Sequence, residues 1–377
     1  MVRFLHTSDW QLGMTRHYFG DGAQERFSQA RFDALVRLAE LAREHAAEFV
    51  VVAGDVFETN QVDRRTVSKA LNGLAQMPCP VFLLPGNHDP LDAGSIYRQA
   101  TFEKRCPSHV RVLDSSAPLT LRAGVEIVGA PWRSKRPLED LLQRALRDLT
   151  PASDVTRIVV AHGAVDALAP DKDNPALIEL AAAERALSAG IAHYIALGDR
   201  HSRTAVGHTG RIHYSGAPEP TDFDELEPGF ALLVDVDAER ALTTPLRVGR
   251  WRFARVAYRL DGQADLAHLR TQLTSELEAA RVALKLDLVG ALSVRQMAAL
   301  EELLDTQRDL YAALIAQTSR TELVVTPEDS DFGDLNLSGF GARALAQLRE
   351  LAAAPGEQQA TAQDALALLI RLAGRDA

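Results

Sequence analysis

The sequence predicts an α/β fold of layered β sheets flanked by helices, with a smaller α+β domain and a helical C-terminal tail. Three observations favour this class. Short apolar runs recur in the first 225 residues, each run ends in a cluster of Gly, Asp, His or Asn, and stretches with helical periodicity separate the runs. Apolar runs between helices are typical of strands that are covered on both faces of a sheet.

Five strands are predicted in the N-terminal part, each directly before a polar cluster. They are Val2–His6 before SDWQLG, Phe49–Ala53 before GDVFETN, Val81–Leu84 before PGNHDP, Ile158–Ala161 before HGAVD and His193–Leu197 before GDRHS. Helices are predicted at Gln24–Glu48, Asp63–Met77 and Pro137–Leu149. Loops at the carboxyl ends of such strands meet in one crevice, so we expect the polar clusters to form one site.

The pattern changes after residue 220 to that of a smaller α+β domain followed by a tail. Its predicted strands are Phe230–Asp237, Trp251–Leu260 and Val282–Leu288, and its predicted helices are Ala264–Ala280 and Ser293–Thr318. The acidic stretch Glu328–Asp334 is typical of a linker, and helices are predicted at Ala342–Ala353 and Thr361–Ala373. We therefore expect a domain at 1–225, an α+β domain at 226–330, and a linker with C-terminal helices at 331–377.

Composition and net charge limit the kinds of function that the chain can have. The chain has 377 residues, of which 46% are hydrophobic and 24% charged, and its formal net charge is −10. Phosphate neutralisation by Lys and Arg usually dominates binding to nucleic acid, so if the substrate is DNA, its basic surface has to be local or supplied by a partner. No apolar run reaches the ~20 residues of a membrane span, and the N-terminus lacks the apolar core of a signal peptide. The expected location is the cytoplasm.

The polar clusters are rich in carboxylate, imidazole and amide groups. These groups suit manganese, iron or zinc when thiolates are absent, and a pair of metal ions needs a bridging carboxylate. Asp55 is the predicted bridge, because a Gly-Asp pair after a strand places the carboxylate at the edge of the sheet. The candidate metal ligands are Asp9, Gln11, Asp55, Asn87, His162, Asp199 and His201.

The order of these motifs along the chain resembles that of the calcineurin-like metallophosphoesterases. HTSDWQLG, AGDVFETN, PGNHDP, AHG, LGDRH and YSGAPEP resemble, more narrowly, segments of the SbcD-type DNA repair nucleases. The resemblance covers residues 1–237 and continues less specifically into the α+β domain, which is similar to the capping domain of that family. It implies that Asp9, Asp55 and His201 hold one metal ion. It implies that Asp55, Asn87 and His162 hold the other.

The same resemblance implies other roles for the two residues after Asn87. His88 would stay off the metal ions and protonate the leaving oxygen, or stabilise the charge that develops on the phosphate. Asp89 would orient a neighbouring group. The metal ions would activate water near neutral pH and neutralise the charge of a phosphodiester.

The chain departs from the family pattern at Gln11 and Asp199, where histidine is usual. Glutamine is a poorer donor than imidazole, so we expect the first metal ion to bind more weakly, or to reach Gln11 only through water. Asp199 adds an anionic oxygen in place of a neutral nitrogen. We therefore expect two divalent metal ions, with manganese favoured and magnesium, iron or zinc left open.

Each of these residues also has a simpler explanation when it is taken alone. Asp9 and Asp199 could cap helices or form turns. Asn87 could occupy a left-handed turn, and His88 could be an ordinary loop histidine. The metal hypothesis depends on the whole set occurring in the family order.

Arginines beside the polar clusters are candidates for DNA contact, because a phosphodiester has to lie there. They are Arg64, Arg65, Arg133, Arg200 and Arg203. The resemblance further implies homodimerisation and docking of the C-terminal helices to an SbcC-type SMC-like ATPase. No contact with a membrane is expected.

Three functions are consistent with the sequence. The first is a metal-dependent DNA exonuclease or endonuclease that acts with the ATPase in double-strand break repair or DNA-end processing. The second is a calcineurin-like phosphodiesterase for a small nucleotide, and the third is a catalytically weakened DNA-end-binding scaffold subunit. The α+β domain, YSGAPEP and the helical tail favour the first, whereas Gln11 and Asp199 motivate the third.

Overall fold

The computed structural model describes residues 1–151, 154–317, 323–325, 339–354, 356 and 358–373. The chain divides into two compact units. Unit 1 comprises Met1–Arg16 and Gln24–Trp251, and unit 2 comprises His17–Ala23 and Arg252–Ala377.

The first sheet of unit 1 contains six strands. They are β1 (Val2–Thr7), β2 (Val50–Val52), β3 (Val81–Leu83), β4 (Val110–Val112), β11 (Phe230–Val236) and β12 (Ala241–Arg247). Their spatial order is β12-β11-β1-β2-β3-β4. β1 to β4 pair in parallel, whereas β11 runs antiparallel to β1 with Val236 opposite Val2.

The second sheet of unit 1 also contains six strands. They are β5 (Leu119–Arg122), β6 (Val125–Gly129), β7 (Thr156–His162), β8 (Tyr194–Gly198), β9 (Thr204–Val206) and β10 (Ile212–Tyr214). Their spatial order is β5-β6-β7-β8-β10-β9, and β6, β7, β8 and β10 are parallel. The two edge strands pair antiparallel with their neighbours.

Helices cover the outer faces of both sheets. They are α1 (Asp21–Glu44), α2 (Arg64–Leu74), α3 (Ala100–Glu103), α4 (Leu141–Leu146) and α5 (Leu180–Ser188). Side chains alternate across a strand, so Val50 and Val52 pack among residues of α1 and α2, while Val51 packs with the second sheet. In that inner layer Phe4 meets Tyr194 edge to face at 5.6 Å. Unit 1 is therefore a helix–sheet–sheet–helix sandwich.

Unit 2 is a smaller α+β unit built around a parallel sheet. Its strands are β13 (Arg252–Leu260), β14 (Val282–Leu292), β15 (Ala313–Gln317) and β16 (Leu323–Val325), and its helices are α6 (Gln263–Thr274), α7 (Val294–Arg308), α8 (Phe340–Ala353) and α9 (Gln359–Ala373). β14 pairs with the other three strands. Ser293 and Gln296 form a capping box at the start of α7. Ala352 of α8 and Leu366 of α9 pack with Val294 of α7.

The predicted α/β class is confirmed, and two local differences have a common cause. The predicted helix Ser293–Thr318 is wrong beyond Arg308, because Ala313–Gln317 form β15 against β14. The strand at Phe230–Asp237, predicted in the α+β domain, pairs with β1 and lies in unit 1. In both cases a partner strand distant in sequence decides the outcome. The predicted linker Glu328–Asp334 lies outside the described residues. The assignment of different functions to the predicted domains stays a prediction.

The helices within the described ranges include none with the length and apolarity that a membrane span requires.

Two buried histidines in unit 1 lie on either side of Tyr194. His6 Nδ1 is 3.2 Å from the Tyr194 hydroxyl, and His6 Nε2 is 3.1 Å from the carbonyl oxygen of Leu197. The ring of His213 stacks on Tyr194 with centroids 5.7 Å apart. Burial lowers the pKa of His6 to about 3 and that of His213 to about 4. Both imidazoles are therefore neutral in the folded protein at neutral pH.

Neutral burial of His6 should make the protein less stable in mild acid. The contribution of neutral His6 to the free energy of unfolding is fully present above the unfolded-state pKa of about 6.5. It is lost as pH falls toward about 3, because in this range only the unfolded chain takes up the proton. We expect His6 to account for about 1 kcal/mol of the loss in unfolding free energy between roughly pH 7.5 and 5.5. Urea denaturation of His6→Gln should show a smaller pH-dependent loss than wild type. His208→Gln, at an exposed histidine, should keep the full loss, and equal losses in wild type and His6→Gln would contradict the assignment.

Candidate metal centre

The predicted ligands follow the carboxyl ends of five parallel strands. Asp9 and Gln11 follow β1, Asp55 follows β2, Asn87 follows β3, His162 ends β7, and Asp199 and His201 follow β8. Three of these residues form a tight group. Asp9, Asp55 and His162 are buried, and one ligand atom from each lies within 4.8 Å of the others. Both sheets therefore deliver side chains to one point.

The backbone at these positions is strained. Among the described residues, five non-glycine residues have positive φ, and four of them are predicted ligands: Asp9 at 54°, Gln11 at 43°, Asp55 at 54° and Asp199 at 97°. Such conformations cost on the order of 1–3 kcal/mol each and cluster at functional sites. Main-chain hydrogen bonds hold the strained loops together, with Asp9 N donating to Gly54 O at 3.0 Å and Gln11 N donating to Asp55 O at 2.9 Å.

Three glycines allow the loops to approach this closely. A Cβ atom at Gly54 would collide with the His162 ring, and one at Gly86 would collide with the Asp55 carboxylate. A Cβ atom at Gly198 would collide with the carbonyl oxygen of Ala53. Each added Cβ atom would lie less than 3.0 Å from the nearest atom of its neighbour, which is closer than real Cβ atoms approach. The glycines of the Gly-Asp and Gly-Asn pairs are thus a requirement of packing.

Asp55, Asn87, His162 and Asp199 form one side of the centre. His162 Nε2 lies 3.4 Å from Asp55 Oδ2 and 3.7 Å from Asp199 Oδ1. The terminal amide atom of Asn87 that faces this point is 2.8 Å from His162 Nε2 and 3.0 Å from Asp55 Oδ2. His162 Nδ1 lies 2.8 Å from the carbonyl oxygen of Ala53, which can only accept, so Nε2 is free to act as a ligand.

Asp9, Gln11 and His201 lie on the other side. His201 Nε2 is 3.9 Å from Asp9 Oδ1 and 3.3 Å from Gln11 Nε2. His201 Nδ1 lies 2.9 Å from Glu225 Oε1, a residue that the motifs do not identify. Glu225 follows YSGAPEP in an acidic stretch, and the sequence alone does not distinguish it from its acidic neighbours.

The electrostatics of the centre favour a cation. Burial raises the pKa of Asp9 and of Asp199, although neighbouring histidines oppose this. Burial lowers the pKa of His162, but the charges of Asp55, Asp9 and Asp199 raise it well above its usual value. Several acidic groups therefore share a buried space in which positive charge is stabilising.

The side chains present fit a divalent metal ion. Gln11 Oε1 is buried and has no hydrogen-bond partner within the part of the chain that the structure describes. An unsatisfied buried acceptor costs about 1–3 kcal/mol, a cost that a cation would remove. Oxygen and imidazole donors without thiolates are ligands that divalent ions such as manganese, iron or zinc take.

His88 and Asp89 lie beside the centre in different environments. The His88 side chain is 37% exposed, and its Nε2 lies 4.0 Å from Asp55 Oδ2. Its Nδ1 is 2.9 Å from the carbonyl oxygen of Glu58, which orients the ring. Asp89 is buried and accepts hydrogen bonds from the Tyr97 hydroxyl at 2.6 Å and from the backbone of Gly86 at 2.8 Å. Burial and the charge of Asp55 raise the pKa of Asp89 to about 6.

The arginines predicted to contact DNA differ in their exposure and in the hydrogen bonds that they already make. Arg64, Arg65 and Arg133 are exposed, and Arg133 donates to the carbonyl oxygen of Asp114 at 2.5 Å. Arg200 is half-buried, and its Nε donates to the Thr204 hydroxyl at 3.0 Å.

Arg203 is already engaged, because it pairs with Glu227 and lies over the Phe230 ring at 5.6 Å. It is therefore the weakest of the five candidates.

A sandwich of two sheets that brings buried carboxylates, imidazoles and the half-buried His88 together at the strand ends fits the class of metal-dependent phosphoesterases. The family model described as calcineurin-like phosphoesterase matches residues 2–229, and the chain belongs to this family. The resemblance inferred from the motifs is thereby confirmed.

Two relatives carry names related to DNA processing. The chain is 26% identical over 256 residues to the D subunit of nuclease SbcCD of Escherichia coli (strain K12), covering 59% of this chain and 62% of that protein. The match thus spans less than two thirds of the relative. The chain is 35% identical over 91 residues to the DNA double-strand break repair protein Mre11 of Archaeoglobus fulgidus, covering 23% of this chain and 19% of that protein.

A solved structure, TT1561 of Thermus thermophilus, is 14% identical, with a TM-score of 0.42 over 65% of this chain and 99% of that chain.

Gln11→His should strengthen metal binding, because imidazole is a better donor than a carboxamide and histidine tolerates a left-handed backbone. We expect the dissociation constant of one manganese ion to fall on the order of tenfold, equivalent to about 1.4 kcal/mol. Isothermal titration of the EDTA-treated protein with manganese measures this. Gln29→His, at an exposed glutamine of α1, should leave both dissociation constants unchanged. If Gln11→His behaves like that control, Gln11 is not a ligand.

Proposed function

We propose that the chain is a metal-dependent DNA nuclease that hydrolyses phosphodiester bonds during the processing of DNA ends. The observation that carries the proposal is the buried group of Asp9, Asp55 and His162 with the half-buried His88 beside it. Membership of the calcineurin-like phosphoesterase family supports the reaction type. The names of the bacterial and archaeal relatives support DNA as the substrate.

Two divalent metal ions would be held on either side of Asp55. We assign Asp9, Gln11, Asp55 and His201 to one ion, and Asp55, Asn87, His162 and Asp199 to the other. The short distances within each group support the division. Bound there, the metal ions would supply positive charge that neutralises the phosphodiester and makes water a better nucleophile.

We assign proton transfer to His88. A backbone carbonyl oxygen can only accept, so the hydrogen on His88 Nδ1 points to Glu58 and Nε2 faces the centre. In the imidazolium form, Nε2 would donate its proton to the leaving oxygen as water attacks phosphorus and the bond from phosphorus to that oxygen breaks. The exposure of the ring allows contact with a substrate that the buried ligands cannot reach directly.

The exposed Arg64 and Arg65 are the arginines that we favour for contact with the DNA backbone. They begin α2, in the segment that follows the Asp55 loop. Contacts of this kind carry no sequence information and weaken steeply with salt.

An ATPase subunit of the SbcC type is the proposed partner. The name of the Escherichia coli relative describes one subunit of a nuclease, which supports an assembly. Exposed apolar side chains on α8 and α9, namely Phe340 and Leu368, suit docking of the C-terminal helices. Homodimerisation and a cytoplasmic location stay predictions.

His88→Ala should slow turnover strongly and leave metal binding intact. We expect cleavage of labelled linear double-stranded or single-stranded DNA with manganese to fall about 10²- to 10⁴-fold, because proton transfer to the leaving group is lost. Manganese affinity should stay at the wild-type value, and EDTA should stop cleavage by the wild type. His208→Ala, at an exposed histidine, is the matched control.

The alternative outcomes separate the other functions. Hydrolysis of bis-nitrophenyl phosphate without DNA cleavage would favour a small-nucleotide phosphodiesterase or a nuclease that needs its ATPase. Absence of both activities would favour the scaffold subunit. Loss of manganese from His88→Ala would show that His88 is a ligand.

A further inference from the structure

His201 is held from behind by a buried carboxylate that lies outside the predicted ligand set. The Glu225 side chain is 8% exposed, and its Oε1 lies 2.9 Å from His201 Nδ1. The Thr221 oxygen Oγ1 lies 2.6 Å from the same nitrogen, and the Thr221 hydroxyl donates to Glu225. Both oxygens therefore accept from Nδ1, which must carry a hydrogen.

The opposite ring nitrogen supports the same tautomer. His201 Nε2 lies 3.3 Å from the amide nitrogen of Gln11, which can only donate. Nε2 therefore presents a lone pair toward the side of the centre that contains Asp9. A lone pair at this position is what a metal ligand requires.

The Glu225 carboxylate is itself fixed by its own loop. It accepts from the backbone nitrogen of Thr221 at 2.9 Å and from that of Asp222 at 3.2 Å. Because the backbone supplies these donors, the carboxylate cannot swing away from His201 without breaking several hydrogen bonds.

Two arginines anchor the same loop to the segment that carries Asp9 and Gln11. Arg16 Nε donates to the carbonyl oxygen of Thr221 at 2.9 Å. Arg31, which is buried, donates from Nη2 to the carbonyl oxygen of Pro220 at 2.9 Å and from Nη1 to that of Trp10 at 2.9 Å. The support of His201 is thus tied to the loop that supplies the other groups on this side.

We propose that Glu225 is a positioning residue that holds His201 in the orientation and tautomer needed to bind a metal ion through Nε2. The inference rests on the proposed role of His201 as a ligand. Carboxylates behind metal-binding histidines typically contribute 10- to 100-fold to metal affinity. Glu225 would act through His201 and would not contact the metal ion or the substrate.

The first readout is the tautomer of His201 in the metal-free protein, measured by long-range ¹H–¹⁵N NMR with histidine labelled in both ring nitrogens. His201→Asn assigns the signal. We expect the wild type to show the tautomer with hydrogen on Nδ1, and Glu225→Ala to show a mixture. Glu225→Gln keeps a carbonyl oxygen that can accept from Nδ1, so it should restore much of the wild-type signal.

The second readout is isothermal titration with manganese. Glu225→Ala should weaken one of two binding events about 10- to 100-fold and leave the other unchanged, and Glu225→Gln should recover part of the loss. Glu227→Ala, which removes a neighbouring exposed carboxylate, should match the wild type in both readouts. Circular dichroism shows whether each variant folds. If Glu225→Ala does not fold, both readouts are made on Glu225→Gln and Thr221→Val instead.

An unchanged tautomer in folded Glu225→Ala would overturn the proposal, even if manganese binding weakened, because Glu225 would then act by charge alone. An unchanged manganese affinity would also overturn it. Neither readout uses DNA. A wild type that binds manganese and cleaves neither DNA nor bis-nitrophenyl phosphate would contradict the proposed nuclease function without affecting this result.

Discussion

The candidate centre depends on the close approach of Asp55 and His162, whose side chains come from different sheets and lie 3.4 Å apart. This approach requires that Gly54, Gly86 and Gly198, at the ends of β2, β3 and β8, carry no Cβ atom. A methyl group at Gly54 or Gly198 would push the two sheets apart where the ligands meet, and one at Gly86 would displace the Asp55 carboxylate. The packing of the sandwich and the chemistry of the centre are therefore one constraint.

The cost of this arrangement is concentrated at the strand ends. Left-handed backbone at Asp9, Gln11, Asp55 and Asp199 is unfavourable for residues with side chains, and the burial of several carboxylates adds electrostatic repulsion. The apolar layer between the sheets, in which Phe4 stacks on Phe49 at 4.8 Å, keeps the loops in place despite this cost. A bound cation would offset the repulsion and satisfy Gln11 Oε1.

The two histidine ligands of the candidate centre are held by different kinds of contact. His162 is oriented by a main-chain carbonyl oxygen, so its orientation follows from the fold itself. His201 depends on Glu225 and Thr221, two side chains of one loop that Arg16 and Arg31 anchor. The side of the centre with the poorer donor, Gln11, is therefore also the side whose geometry relies most on side-chain contacts.

The sequence by itself determined the α/β class, the family and the loops that carry the candidate ligands, because short apolar runs and the polar motifs that follow them are local signals. It did not predict β15 or the pairing of β11 with β1, since both depend on partner strands distant in sequence. Only the tertiary structure connected Glu225 with His201 and left Gln11 Oε1 without a partner among the described residues. Such contacts join loops far apart in the chain, and no local pattern encodes the distance between them.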